Sequence, residues 1–128
     1  MPTLNLTKHH GLGNDFLVLL DLDDRTPVDA ELARALCDRR RGIGADGIIR
    51  VTAGTAGTDV TMQLRNADGG EAELSGNGLR CLAQAVVGAG VAAGPEVRVG
   101  TRAGVRRVVV LGEEAPGLVT VSVEMGDA

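Results

Sequence analysis

Residues 66–90, NADGGEAELSGNGLRCLAQAVVGAG, decide the fold, because a polar, glycine-rich turn runs directly into a segment with helical spacing. The apolar side chains of that segment recur at i, i+3, i+4, i+7 and i+8, at Leu79, Leu82, Ala83, Val86 and Val87. A stripe this broad needs apolar cover on several sides. We therefore predict a deeply buried helix that begins near Gly76.

The flanking sequence supplies strands that would cover this helix. Alternating or short apolar runs predict strands at TLNLTK (3–8), FLVLLD (16–21), IIRVT (48–52), TDVTMQLR (58–65), EVRVG (96–100), VRRVVVL (105–111) and LVTVSVEM (118–125). DAELARALCDRR (29–40) predicts another helix, with Asp29 as its N-cap. Short strands joined by tight turns pair antiparallel. The prediction is one α+β domain over residues 1–128, an antiparallel sheet curled around a central apolar helix.

The composition disfavours several classes of protein. A net charge of −4, one Phe and no Trp or Tyr argue against nucleic-acid binding, which uses basic surfaces and aromatic stacking platforms. No apolar run approaches the roughly 20 residues of a membrane span, and the N-terminus has no secretory pattern, so we expect no membrane partner and a cytoplasmic location. Cys37 and Cys81 lie in helical segments without metal-ligand spacing, and we predict buried free thiols.

Two glycine-rich motifs do not by themselves indicate a binding site. GIGADG (42–47) matches G-x-G-x-x-G, but a predicted helix precedes it and a strand follows it, the reverse of a dinucleotide site. HGLGND (10–15) joins two predicted strands, and a turn alone would explain it. His9 and His10 lack the Cys, His or carboxylate neighbours of a metal site, so we predict packing or hydrogen-bonding roles and no metal.

The helix start SGNG (75–78) admits two interpretations. Glycines there lower helix stability by up to about 1 kcal/mol each relative to alanine. Backbone N–H groups at the positive end of a helix dipole bind anions such as carboxylates, and the lack of Cβ atoms lets the anion approach closely. The motif alone fits equally well a tight start in which Ser75 is merely the N-cap.

Four motifs, taken together and in order, favour the anion-binding interpretation. They are HHGLGNDF (9–16), RGIGADG (41–47), NADGGEAE (66–73) and SGNGLRC (75–81). Together they resemble the N-terminal domain found in the diaminopimelate epimerase family. The members of this family are cofactor-independent amino-acid racemases and epimerases. The resemblance covers the chain almost end to end. It implies two similar domains, each with a sheet around a central helix. It also implies a cleft between them, where one cysteine removes the substrate α-proton and another delivers a proton to the opposite face, without pyridoxal, metal or other cofactor.

On this chain, the resemblance assigns the carboxylate of an amino-acid substrate to Gly76, Asn77 and Gly78. It assigns hydrogen bonds with other polar groups of the substrate to Asn14 and Asn66. The implied function is interconversion of LL- and meso-diaminopimelate in bacterial lysine and peptidoglycan synthesis. A related cofactor-free isomerase of another small acid and a non-catalytic carboxylate-binding module are the alternatives.

Two departures from the family pattern bear on activity. Ser75 stands at the position of a catalytic cysteine, and an alcohol without a neighbouring His is a much weaker base than a thiol, whose pKa is about 8.5. The serine fits an engineered replacement, a natural variant or an inactive relative. The sequence also stops where the family continues into a second domain. We expect the chain alone to be inactive, and to associate with itself or with the C-terminal half.

Overall fold

The computed structural model describes residues 6–10, 13–55, 57–72, 76–90, 96–102, 104–115 and 118–124. The helices and strands within these residues are, in chain order, β1 (Leu6–His10), β2 (Asp15–Leu20), α1 (Ala30–Cys37), β3 (Gly47–Ala53), β4 (Val60–Asn66), β5 (Glu71–Ala72), α2 (Gly76–Gly88), β6 (Glu96–Thr101), β7 (Gly104–Ala115) and β8 (Leu118–Glu124). Neither helix in this part of the chain has the length and apolarity needed to cross a lipid bilayer.

The strands form one sheet in the order β1-β2-β3-β4-β6-β7-β8, with the short β5 paired to β4. The α+β class is confirmed, but two pairings depart from the antiparallel expectation. β2 pairs with β3 in parallel, and β4 pairs with β6 in parallel. The chain passes through α1 between the first pair and through α2 between the second. A tight turn forces antiparallel pairing, whereas a helical crossover returns the next strand in the same direction.

Helix α2 lies at the centre of the main core, as its spacing predicts. Leu79, Leu82 and Val86 have no exposed surface. They pack against side chains from one face of the sheet, namely Phe16, Val18, Ile49, Val51, Val60, Met62, Leu64, Val97, Val99 and Val108. Helix α2 contacts β1 and also β8, the strands at the two ends of the sheet, so the sheet curls around it. Full burial of one such side chain contributes about 1.5–3 kcal/mol.

Helix α1 covers the opposite face of the sheet. The Asp29 side chain accepts a hydrogen bond from the Leu32 amide at 2.8 Å, which confirms Asp29 as the N-cap. The helix ends at Cys37 rather than at residue 40. Its buried side chains pack with Leu17, Leu19 and Ile48. Strand β2 is therefore covered on both faces, which explains its continuous apolar sequence.

The first strand differs from its prediction in its bounds. β1 continues through His9 and His10, which the sequence places in a loop, and it pairs His10 with Asp15. The predicted strand residues 3–5 lie outside the described residues. In His9, Nδ1 lies 3.0 Å from Oε1 of Gln84, and Nε2 lies 2.7 Å from Oγ1 of Thr7. The predicted hydrogen-bonding role of His9 is confirmed.

Candidate active site

Several polar loops meet at one end of the sheet. β1 and β4 end there, and β2 and β3 begin there, since β2 and β3 are parallel to each other and antiparallel to their outer neighbours. At the start of α2, the Asn77 side chain is hydrogen-bonded to Asn14, which brings the helix start to the same end. Described residues from each of the four motifs that carry the family resemblance therefore lie at this end.

Asp15 and Asp46 lock two of these loops together. The Asp15 amide donates to Oδ2 of Asp46, and the Asp46 amide donates to Oδ1 of Asp15, both at 3.0 Å. Arg39 bridges the carboxylates, with Nη2 at 2.9 Å from Oδ1 of Asp15 and 3.3 Å from Oδ1 of Asp46. The Arg39 guanidinium holds the pKa of Asp15 well below its usual range, with burial opposing this effect and Lys8 adding to it. Asp15 is therefore ionised at neutral pH.

The glycines of RGIGADG pack this loop against the end of α1. The amides of Ile43 and Gly44 donate to the Leu36 carbonyl oxygen, at 3.0 and 3.1 Å. A Cβ atom at Gly42 would lie 2.1 Å from the Ala35 carbonyl oxygen, so a side chain there requires a backbone shift. These two amides satisfy the Leu36 carbonyl, which lies in the last turn of the helix. The motif follows helix α1 and precedes strand β3, as predicted, which is the reverse of the order in a dinucleotide site.

Asn14 connects the two aspartates to the start of α2. Its Nδ2 donates to Oδ2 of Asp46 at 3.3 Å, and its Oδ1 accepts from Nδ2 of Asn77 at 2.9 Å. The two asparagines are 63 residues apart in sequence. Asn14 is exposed and Asn77 is partly buried. Two residues to which the resemblance assigns substrate contacts therefore touch each other at the surface.

The first turn of α2 contains Gly76, Asn77 and Gly78, and no acidic side chain. The positive end of this 13-residue helix lies beside Asn14, because Asn77 is hydrogen-bonded to it. Such an end favours a negatively charged group. Ser75, the position of the expected cysteine, lies outside the described residues.

Asn66 lies at the same end of the sheet but does not join the contact between Asn14 and Asn77. It ends β4 opposite Gly47, and its side chain is exposed. The following turn is held by Arg65, whose Nη1 donates to the Gly69 carbonyl oxygen at 2.8 Å. The structure therefore brings together Asn14 and Asn77 directly, and places Asn66 at the end of β4, just before the adjoining turn.

Both cysteines are buried free thiols, as predicted. Cys81 lies on α2 inside the main core, where burial raises the pKa of its thiol to about 11 and the nearby charge of Asp15 adds to the effect. Burial also raises the pKa of Cys37, the last residue of α1, whose side chain lies in the core between α1 and the sheet. Both thiols are protonated at neutral pH, so neither is suited to remove a proton from a substrate.

The sequence patterns assigned no role to Asp46 or Arg39, although in the structure Asp46 bonds Asn14 and Arg39 bonds Asp46. The sequence did contain a signal for Asp46. Each of the first two glycine-rich loops ends in an aspartate next to a predicted strand, Asp15 in GND and Asp46 in GAD. Asp and Asn side chains at such positions commonly hydrogen-bond nearby backbone amides. Here each aspartate bonds the other loop instead of its own.

Solved structures define the class of fold. The crystal structure of a probable proline racemase from Agrobacterium radiobacter K84 matches with a TM-score of 0.72 at 19% identity, covering 94% of this chain and 41% of that one. A PhzF-family phenazine biosynthesis protein from Bacillus anthracis matches with a TM-score of 0.70 at 20% identity, covering 94% and 40%. The chain has the fold shared by part of each of these proteins.

Sequence comparison narrows this class to one family. The sequence model described as Diaminopimelate epimerase matches residues 6–128. A relative named diaminopimelate epimerase, from Rhodococcus erythropolis, is 44% identical in an alignment that covers 95% of this chain and 47% of the relative. The chain belongs to the diaminopimelate epimerase family. It spans about half, or less, of the length of the curated relatives that it matches.

Proposed function

We propose that this chain forms one wall of the active site of a diaminopimelate epimerase, which interconverts LL- and meso-diaminopimelate in the bacterial synthesis of lysine and peptidoglycan. The observation that carries the proposal is the convergence of the four family motifs at one end of the sheet, where Asn14 and Asn77 meet. Membership of the family supports the same reaction.

The start of α2 suits the α-carboxylate of an amino acid. Gly76, Asn77 and Gly78 hold this carboxylate in the proposal, while Asn14 and Asn66 bind other polar groups of the substrate. As the α-proton leaves, negative charge develops on the substrate next to the positive helix end. A preorganised dipole of this kind stabilises the charge in the transition state, and no cofactor is invoked for that step.

The second wall comes from a domain of similar fold, in a C-terminal half or in another copy of the chain. Ile43, which lies in the RGIGADG loop at this end of the sheet, is 52% exposed and offers an apolar contact for that wall. A closed site between two walls excludes water, which strengthens the interaction with the developing charge. We also propose a cytoplasmic location, because the two cysteines are unpaired, as a reducing compartment favours.

Ser75 limits the rate of proton removal that we expect from the proposed active site. The family places a cysteine there, and a thiolate beside a helix N-terminus is a far better base than a serine hydroxyl. Cys81 does not compensate, since its thiol is buried and its pKa is raised to about 11. We therefore expect slow α-proton exchange with Ser75 and much faster exchange in a Ser75→Cys variant.

The test uses the chain alone and the chain fused to the C-terminal half of the Rhodococcus erythropolis relative. Each protein is incubated with meso-diaminopimelate in deuterated water, and loss of the α-proton signal is followed by NMR. The Ser75→Cys fusion should exchange at least about 100-fold faster than the parent fusion, which is the lower range for a positioned general base. Cys81→Ala is the matched control and should leave the rate unchanged.

The outcomes separate the alternatives. Equal exchange rates in the Ser75→Cys and parent fusions would show that residue 75 is not at the base position. Exchange of other small acids but not of diaminopimelate indicates a related isomerase. Saturable binding of diaminopimelate without exchange in any fusion indicates a carboxylate-binding module, and the epimerase proposal is then wrong.

A further inference from the structure

We propose that Asp46 is a positioning residue for the substrate, because its carboxylate sets the orientation of the Asn14 side-chain amide and, through it, that of Asn77. The inference rests on the proposed function, in which these two asparagines bind the substrate. Asp46 acts through Asn14, from which it accepts a hydrogen bond at 3.3 Å.

We call the contacts from Asp46 through Asn14 to Asn77 the relay. The chemistry of the three side chains fixes which atom donates and which accepts at each contact. An ionised carboxylate only accepts hydrogen bonds, so Asp46 draws the NH₂ group of Asn14 towards itself. The carbonyl oxygen of Asn14 then faces Asn77, and since a carbonyl only accepts, Asn77 presents its NH₂ group. Without the carboxylate, Asn14 can rotate by half a turn and bring its own NH₂ group against that of Asn77. Two donors would then oppose each other, and both amides would lose a defined orientation.

Asp46 is itself held firmly enough for this task. Its Oδ2 also accepts from the Asp15 amide at 3.0 Å, and its Oδ1 lies 3.3 Å from Nη2 of Arg39. Its backbone carbonyl accepts from the Ala67 amide at 2.9 Å, directly after Asn66. Asp46 therefore contacts Asn14 directly, reaches Asn77 through Asn14, and bonds the residue that follows Asn66. Side chains locked in this way hold a binding group within the narrow tolerance that catalysis needs.

The first readout is structural and does not depend on activity. In the ¹⁵N-labelled chain, Asp46→Ala should shift or broaden the side-chain amide signals of both Asn14 and Asn77. Asp46→Asn keeps an accepting oxygen and should restore most of both signals. Asp38→Ala is the matched control, because Asp38 accepts from the amides of Arg40 and Arg41 at 2.8 and 3.1 Å but does not contact Asn14.

The second readout is a double-mutant cycle in the Ser75→Cys fusion. Asp46→Ala should raise KM for diaminopimelate about tenfold when Asn14 is present, which corresponds to the usual coupling between residues in direct contact. In the Asn14→Ala background, the same change should have less than about a twofold effect, since the residue through which Asp46 acts is gone. A merely structural role would lower activity equally in both backgrounds.

Three results are decisive. Unchanged Asn14 and Asn77 amide signals in Asp46→Ala overturn the relay, whatever the fusions do. Equal kinetic effects of Asp46→Ala in the two backgrounds overturn the positioning role even if the signals change. If no fusion exchanges the α-proton, the proposed function fails and the substrate role of Asp46 fails with it, while the amide signals still report whether Asp46 orients the two asparagines.

Discussion

Replacing Asp21 with alanine is expected to lower the free energy of unfolding by about 3 kcal/mol. Asp21 follows β2 and is only 8% exposed. Its carboxylate accepts from the amides of Arg25 and Thr26, at 3.0 and 2.9 Å, and from Nε and Nη2 of Arg50, at 3.0 and 2.8 Å. Removing one partner of a buried ion pair costs about 3–5 kcal/mol. The loss falls at the low end, because Arg50 keeps the Thr26 carbonyl and Asp24 as partners.

The matched control is Asp24→Asn. Asp24 is 75% exposed, and an exposed ion pair contributes about 0–1 kcal/mol. Asn also tolerates the backbone φ of 55° at this position. Urea unfolding followed by circular dichroism gives both free energies, provided that the m-value is unchanged. Equal losses in the two variants, or a loss below about 1 kcal/mol for Asp21→Ala, would contradict the reasoning.

The same carboxylate predicts how stability depends on pH. Burial acts to raise the pKa of Asp21, but hydrogen bonds from the Arg25 and Thr26 amides and from Arg50 outweigh it and lower the pKa. A carboxyl whose pKa is lowered in the folded state adds stability that is present above its unfolded pKa of about 4 and is lost as the pH falls through the folded value. The unfolding free energy should therefore fall less steeply below about pH 4 in Asp21→Asn than in the parent.

Three further predictions concern the core and the loops. Gly42→Ala should destabilise the chain by about 1–3 kcal/mol in thermal unfolding, because its Cβ would lie 2.1 Å from the Ala35 carbonyl oxygen. Gly88→Ala is the control, since a Cβ there meets nothing within 4 Å. It should be neutral or stabilise the chain by up to about 1 kcal/mol. Leu82→Ala should lower the free energy of unfolding, measured in urea, by about 2–5 kcal/mol. Leu22 is exposed, so Leu22→Ala should lower it by about 0.5 kcal/mol or less. Similar losses in the two variants would mean that α2 is not the centre of the core. Burial lowers the pKa of His9, the Gln84 hydrogen bond raises it and the charge of His10 lowers it. Gln84→Leu should therefore lower this pKa further in an NMR titration, and an unchanged or raised pKa would contradict the role given to the hydrogen bond.

Periodicity was sufficient to predict helix α2 and its burial. Its apolar positions all face one core, so the spacing of Leu79, Leu82 and Val86 carries the whole signal. The antiparallel prediction was wrong for β2 and β3, because helix α1 and not a tight turn joins these two strands. The apolar run of β2 contained the missing information, since a strand covered on both faces is typical of a parallel pair.

The candidate site was predicted residue by residue only through the family resemblance. Nothing within HGLGND or SGNG indicates that Asn14 and Asn77 would touch across 63 residues. The role of Asp46 depends on the register of the parallel pair, in which Phe16 lies opposite Gly47. That register places the preceding residues, Asp15 and Asp46, side by side, and sequence patterns do not specify a register between strands separated by a helix.

The contacts of α2 with both β1 and β8 have a consequence for biosynthesis. As the ribosome releases the chain from its N-terminal end, α2 appears long before β8, so one side of an apolar helix stays uncovered until residues 118–124 emerge. A nascent chain in this condition is open to aggregation and to capture by chaperones. Because the closing contacts join distant parts of the chain, folding should be slow for a domain of this size, and slowing translation before β8 should increase the aggregated fraction.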